Sequence, residues 1–507
     1  MGISAVPEPR IVVIGAGMAG LVAALELSRR GAAVRVIERA PGPGGKMRQV
    51  SLGGQRLDAG PTVLTMRWVF DELFDAAGSA LADHVRLAPA ELLARHAWSA
   101  DERLDLYADL AASTDAIGAF AGAAEARRFR AFCARARSTF EALEHSYMRA
   151  ARPTPVSLVR RAGLRGLPGL MKISPFATLW DALGEYFHDP RLRQLFGRYA
   201  TYCGASPYAA PATLMLIAHV ELAGVWRPLD GMHSLALAIA ALAARHGAEF
   251  HYDCEVRDIT TQQGRTSGVH LDDGRHLAAD AVVFNGDVAA LAGGLLGADA
   301  RKACAATTPA QRSLSAITWT MCARTAGFDL SHHNVFFSDD YAAEFTDIFT
   351  HGRLPRTPTV YICAQDRGAD ASPGPQDAER LLCLVNAPAL GDRDTPTLSA
   401  AEIERCEERT FQRLTDCGLA LSPQAAATRR TTPSDWAALF PATGGALYGQ
   451  ASHGWRTSFS RPGAHSRLPG LYLAGGSVHP GPGVPMAALS GRLAATALWQ
   501  DLTSRGR

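Results

Sequence analysis

The chain has 507 residues and a mass of 53.9 kDa, beyond the size at which one hydrophobic core keeps growing, so at least two packed units are expected. Hydrophobic residues make up 47% and charged residues 20%, the balance of a folded globular chain rather than a disordered one. Lys and Arg number 51 against 49 Asp and Glu, a net charge of +2 without a long run of one sign, which argues against a polyanion-binding surface and a nucleic-acid partner.

Lys46, Lys172 and Lys302 are the only lysines, so amine chemistry has few places to reside. The nine cysteines are scattered without a close CxxC pair and read as reduced thiols; no metal is expected. Residues Met1 to Arg10 do not read as a signal or transit peptide. No apolar run reaches the ~20 residues that span a bilayer. The expected location is therefore cytoplasmic, soluble or attached to a membrane face.

Residues Arg10 to Ile14 (RIVVI) predict a buried strand, followed by Gly15 to Gly20 (GAGMAG) and an apolar helix. This is strand, GxGxxG turn, helix: Gly15 allows the tight turn, Gly17 lets backbone N–H groups approach a pyrophosphate, and Gly20 lets the helix lie close on the sheet. A second strand, Ala33 to Ile37, ends in Glu38, where a carboxylate accepts hydrogen bonds from an adenosine ribose. Two further glycine-rich loops follow, Arg39 to Lys46 with the pair Gly44-Gly45, and Asp58-Ala59-Gly60-Pro61-Thr62. Close backbone passage at two places suits an extended flavin dinucleotide, FAD, better than a nicotinamide cofactor. No second GxGxxG occurs on a strand-to-helix turn, so no separate NAD(P)H domain is expected.

Leu229 to Asp287 forms a second block: a helix-like LALAIAALAARHG, then strand-like segments around Phe250 to Val256, Gly268 to Leu271 and Ala281 to Phe284, with Val256 placed beside the adenine. A third block, Gly470 to Trp499, runs from the strand LYLAG through Gly475, Gly476 and Ser477 to Val484, Pro485 and the helix opening at Met486. The positive end of that helix would face the flavin pyrimidine. The fold class is thus α/β, a Rossmann-like FAD-binding domain with an inserted α+β substrate domain. Residues 1–86, 228–304 and 439–507 are assigned to the first, and 87–227 and 305–438 to the second. Within the first insertion, Arg160 to Trp180 mixes arginine with apolar and aromatic residues and is the stretch expected to touch a membrane surface.

With these blocks in place the chain resembles, end to end, the bacterial carotenoid desaturases of the phytoene desaturase type, within the amine-oxidase-like flavoproteins. The resemblance rests on GAGMAGLVAALEL (Gly15 to Leu27), ERAPGPGGKMR (Glu38 to Arg48), DAGPTVLTM (Asp58 to Met66) and LYLAGGSVHPGPGVPMAALSG (Leu471 to Gly491). GGKMR with GPTVLTMRWVFDELFDAAG is similar to the 1-hydroxycarotenoid 3,4-desaturase branch. The resemblance implies FAD, held by Gly15, Gly17, Met18, Ala19, Gly20, Glu38, Arg39, Gly45, Lys46, Gly60, Pro61, Thr62, Val256, Gly475, Gly476, Val484, Pro485 and Met486. It implies an acyclic C40 carotenoid with a hydroxyl or methoxyl end, desaturated at C3–C4 in spheroidene or spirilloxanthin synthesis. The electron acceptor would be a quinone or dioxygen, at the inner or photosynthetic membrane. One departure stands out: many of these flavoproteins carry Asp or Glu after the C-terminal AG, where this chain has Gly476-Ser477, so backbone N–H groups or Ser477 would serve instead.

Hydride loss to flavin N5 gives an allylic cation delocalised along the polyene, and proton loss follows; the protein's part is to position the chain and exclude water. Candidates near the flavin are Arg67 and His479 for catalysis and Trp68 and Trp226 for substrate contact, each with an ordinary packing or pairing role as the alternative. Phytoene or neurosporene desaturation is the alternative within the family. An amine oxidase is disfavoured by the scarcity of lysine for a contact at flavin N5, and a non-catalytic isoprenoid carrier by the intact GAGMAG with Glu38.

Overall fold

The strands Arg10–Ile14 and Ala33–Ile37 pair in parallel, with Val13 beside Val36, because short runs of β-branched residues are stable where both sheet faces are covered. The computed structural model describes residues 8–154, 157, 176–368, 374, 377–392 and 398–505. It extends this pair to five parallel strands in the order Glu249–His251, Ala33–Ile37, Arg10–Ile14, Ala281–Phe284, Leu471–Leu473. The helix Met18–Ser28 is buried along its whole length, between His233–Arg245 and the C-terminal helix Val484–Arg505. The crossing is close: a Cβ on Gly491 would lie 2.3 Å from the Ala19 carbonyl oxygen.

The expected strand from Phe250 to Val256 is two strands. Glu249–His251 closes the parallel sheet, the backbone turns at Asp253 with φ 51°, and Val256–Gln262 opens an antiparallel sheet with Arg265–Leu271 and His276–Ala278. The C-terminal helix opens at Val484, ahead of the expected Met486.

Both long insertions build one seven-stranded sheet, in the order Ala420–Thr431, Ser315–Ala326, Glu379–Ala387, Val360–Ala364, His333–Phe336, Leu92–Ala97, Arg103–Tyr107. It is antiparallel except where His333–Phe336 meets Leu92–Ala97. Helices Ala123–Leu143 and Pro190–Gly197 bring Phe129, Phe132 and Phe196 together with Phe187, which ends the helix Leu179–Tyr186, in one aromatic cluster. A three-stranded sheet of Leu64–Thr65, Val225–Pro228 and Leu87–Pro89 straddles the expected boundaries at 86 and 227.

The nine cysteines are free. Among the described residues no helix is long and apolar enough to cross a membrane. Most of the Arg160 to Trp180 stretch lies outside the described residues. At its end, Leu179 is fully buried, and the partly buried Trp180 meets Tyr208 at a tilt with Arg193 over its ring.

Candidate functional site

The glycine turn is built from backbone constraints. Gly15 has φ +97° and donates its N–H to the Ile37 carbonyl at 2.8 Å. A Cβ on Gly20 would lie 2.1 Å from the Gly15 carbonyl oxygen, and one on Gly17 would lie 2.8 Å from Asn285 Oδ1. The first turn of Met18–Ser28 carries no acidic side chain, leaving its N–H groups open to an anion. Glu38 is buried and accepts from the N–H groups of Ala16 at 2.6 Å and Ala40 at 2.8 Å. A carboxylate offers about four lone-pair sites, so capacity remains for ribose hydroxyls.

The two following loops stack on this turn. Gly44 N–H donates to the Ala16 carbonyl at 2.8 Å, and Gly45, at φ +59°, passes so near Gly17 that a Cβ would lie 3.1 Å from the Gly17 Cα. A Cβ on Gly60 would lie 2.0 Å from the Lys46 carbonyl oxygen. Lys46 Nζ donates to the Leu447 carbonyl at 2.6 Å and lies over Phe440; burial lowers its pKa. Arg39 donates to the carbonyls of Ala438 and Leu439. Asp58 accepts from Met232 N–H at 2.6 Å, tying the Asp58 loop to the start of the helix His233–Arg245.

At the third block, buried Arg461 donates to the carbonyls of Tyr448, Gly476 and Gln450, and Ser477 Oγ accepts from Val288 N–H at 3.1 Å. Ser477 is therefore already engaged in holding the neighbouring strand's loop.

These elements frame one cavity of about 1890 Å³, against ~300–1,000 Å³ for a pocket that takes one drug-sized ligand. All the residues assigned to FAD line it except Gly20, whose place is under the turn. Its lining also includes Leu216, Ile217 and Val220 and, from the seven-stranded sheet, Leu382 and Leu384.

The four candidates for catalysis and substrate contact are not among the lining residues. Arg67 pairs with Asp71 at 3.2 Å and lies 4.5 Å over the ring of Trp226, and Arg149 lies 4.0 Å over Trp68. His479 is buried edge-on to Tyr147 with Nε2 3.1 Å from the Tyr147 carbonyl oxygen. Burial pushes its ring down to about 4, so it is a neutral packing residue at neutral pH. In these placements Arg67, Trp68, Trp226 and His479 have the pairing and packing contacts weighed as the alternative to a functional role. His332, His333 and Cys363 offer ligand atoms within 4.8 Å of one another, and they are hydrogen-bonded to protein groups: His332 to the Arg367 carbonyl and Cys363 Sγ, His333 to Tyr361 Oη.

A family model described as flavin containing amine oxidoreductase matches residues 18–498. The hydroxyneurosporene desaturase of Rubrivivax gelatinosus is 56% identical over 98% of this chain and 94% of its own length. The chain belongs to the carotenoid desaturase branch of the flavin-containing amine oxidoreductases. The hydroxyneurosporene desaturase of Cereibacter sphaeroides is 47% identical, covering 98% of this chain and 99% of that one. The 1-hydroxycarotenoid 3,4-desaturase of a Flavobacterium is 30% identical over 96% and 98%. A solved putrescine oxidase variant aligns with TM-score 0.59 at 14% identity over 98% of this chain and 99% of its own. Cyclohexylamine oxidase from Brevibacterium oxydans aligns with TM-score 0.56 at 16%, over 98% and 100%. At these identities the two share the fold: a parallel Rossmann-like sheet with a mixed substrate sheet.

As a family member the chain is a flavoprotein with FAD as cofactor, and its residues fit that group. The turn is packed so closely on itself that a Cβ at Gly17, Gly20 or Gly45 would press on Asn285, Gly15 or Gly17, and Asn285 Oδ1 is a buried oxygen without a hydrogen-bond partner among the described residues, facing the turn. Sequence reasoning missed Asn285, Asp287, Arg461 and Tyr448, which also line the cavity. The first two had a signal: they follow a fully buried parallel strand, Ala281–Phe284, where such sheets place their ligands.

Proposed function

We infer that this carotenoid desaturase removes two hydrogens from C3–C4 of an acyclic carotenoid with a 1-hydroxyl or 1-methoxyl end. The observation that carries the reading is one large cavity lined both by the cofactor-cradle residues and by a set of apolar side chains, in a chain 56% identical to a hydroxyneurosporene desaturase. FAD, when bound, accepts the two electrons as hydride. The protein's residues do the rest. Leu216, Ile217, Val220, Leu382 and Leu384 hold the polyene and exclude water, and the glycine cradle and Glu38 fix where the cofactor lies. We assign residues 1–86, 228–304 and 439–507 to the cofactor and 87–227 and 305–438 to the substrate.

The amine-oxidase reading gains nothing from the structure. Of the described lysines, Lys302 is exposed and paired with Asp299, while Lys46 is bound to a backbone carbonyl.

Delivery from a membrane surface fits the cavity's rim. Phe176 lines the cavity yet is 79% exposed, and it meets Trp455 edge-on at 5.6 Å. Phe176→Ser with Trp455→Ser should reduce co-flotation with liposomes while flavin content is kept; unchanged flotation would remove this support.

The deciding experiment is anaerobic incubation of the FAD-loaded protein with a 1-hydroxylated acyclic carotenoid in liposomes and a quinone. Loss of two hydrogens with a red-shifted spectrum supports the reading and a quinone acceptor. Conversion only when air replaces the quinone assigns dioxygen. Conversion of phytoene or an unhydroxylated intermediate instead moves the chain to another desaturase branch.

A further inference from the structure

The apolar cavity contains one polar cluster that the cofactor does not explain. Arg198, Tyr202, Glu221 and Tyr361 all line it. Glu221 is buried and accepts from Tyr199 Oη at 2.7 Å and Tyr202 Oη at 2.9 Å. Tyr202 Oη in turn accepts from Arg198 Nη1 at 3.2 Å. The Arg198 guanidinium lies 5.3 Å from the ring centres of both Tyr202 and Tyr361. Among the described residues no carboxylate forms an ion pair with it, and Tyr202 is its one side-chain hydrogen-bond partner.

A guanidinium carries five N–H donors, and leaving them without acceptors away from water is costly. A hydrocarbon chain brings no acceptor; an oxygen on its end does. The place is also right for that oxygen. Tyr361 Oη is 2.7 Å from Thr62 Oγ1, on the loop after Asp58, and 2.7 Å from His333 Nδ1 on its other side. The cluster is thus hydrogen-bonded to the loop that approaches the flavin. A C1 oxygen lies only a few bonds from C3 and C4, so its binding group must sit beside the reacting carbons.

We propose that Arg198, oriented by Tyr202 and Glu221, donates a hydrogen bond to the C1 oxygen of the substrate and makes this site selective for hydroxylated or methoxylated ends. The inference rests on the desaturase reading above and deepens it. Because only an acceptor is required, hydroxyl and methoxyl ends are both taken. Hydrocarbon ends are rejected because they strand the guanidinium, the asymmetry by which a hydrogen-bonding site discriminates better than an apolar one.

The test compares a 1-hydroxylated acyclic carotenoid with its unhydroxylated parent. Two quantities are read for each: kcat/KM, and the dissociation constant from quenching of tryptophan fluorescence. The native protein should prefer the hydroxylated compound in both. Arg198→Met should cut that preference about tenfold to a hundredfold, the range for losing a hydrogen bond to a charged donor, with flavin absorbance per protein unchanged. Arg198→Lys should restore part of it. Undiminished preference in flavin-replete Arg198→Met overturns the proposal. If Arg198→Met does not hold flavin, Tyr202→Phe decides, since it leaves the charge and frees its orientation: a lowered preference supports the proposal and a native one overturns it. If the native protein turns over no hydroxylated carotenoid, the desaturase reading fails, and the ratio of dissociation constants still judges Arg198.

Discussion

Gln365 stands beside Asp58 as a neighbouring strand would: its Oε1 accepts from the Asp58 N–H at 3.0 Å and its Nε2 donates to the Asp58 carbonyl at 2.9 Å. One amide side chain at the end of the strand Val360–Ala364 therefore satisfies the backbone of a cofactor loop. Gln365→Leu would leave both groups unpaired, each costing about 1–3 kcal/mol. A lowered urea midpoint with an unchanged slope is the expected result.

Gly20→Ala should disrupt the cradle although it adds one methyl. The atom it meets at 2.1 Å is the Gly15 carbonyl oxygen, which is backbone and moves only with the turn itself. Overpacking of this kind costs about 1–3 kcal/mol, and the purified variant should carry less flavin by absorbance at an equal protein concentration.

Arg461→Met removes the donor to three carbonyls in a buried place. Loss should exceed about 2 kcal/mol, because stranded acceptors cost more than the hydrogen bonds themselves contribute. Thermal unfolding measured without added flavin separates this effect from cofactor affinity.

The buried histidines predict acid sensitivity. Burial pushes His96 down to about 3 and His332, His453 and His479 to about 4. As pH falls below the ordinary value near 6.5, the unfolded chain takes up protons that the folded chain refuses until these lower values are reached. Stability is therefore kept above about pH 6.5 and lost between there and pH 4, at about 1.4 kcal/mol per pH unit for each histidine. Urea midpoints at pH 7 and 5 check the sign, and His479→Asn should lessen the slope. The same depression predicts that the pH profile of kcat/KM shows no inflection lost in His479→Asn.

The cofactor cradle was legible in the sequence because its requirements are local. Gly15, Gly17 and Gly20 answer to the backbone within one turn, and Glu38 ends the next strand. Arg198, Tyr202 and Glu221 were not legible: they come from a 3-10 segment and a separate helix, Leu216–Leu222, and only tertiary packing brings them together with Tyr361 from the far sheet. The break at Asp253 was missed for a related reason, since an apolar–polar run gives no sign of where a strand leaves one sheet for another. Arg67 and Trp68 follow a cofactor motif in sequence, but Arg67 lies over Trp226, Arg149 lies over Trp68, and both tryptophans pack against the core.

The parallel sheet also orders events in time. Arg10–Ile14 pairs with Ala281–Phe284, and that strand pairs with Leu471–Leu473, so the N-terminal glycine turn waits for residues at the other end of the chain. Pairings so distant in sequence form slowly and late. A nascent chain still lacking Val484–Arg505 exposes the flank of Met18–Ser28 that this helix covers. The cradle is thus complete only once Leu471–Leu473 and Val484–Arg505 are in place, and a chain stalled before them presents half of it.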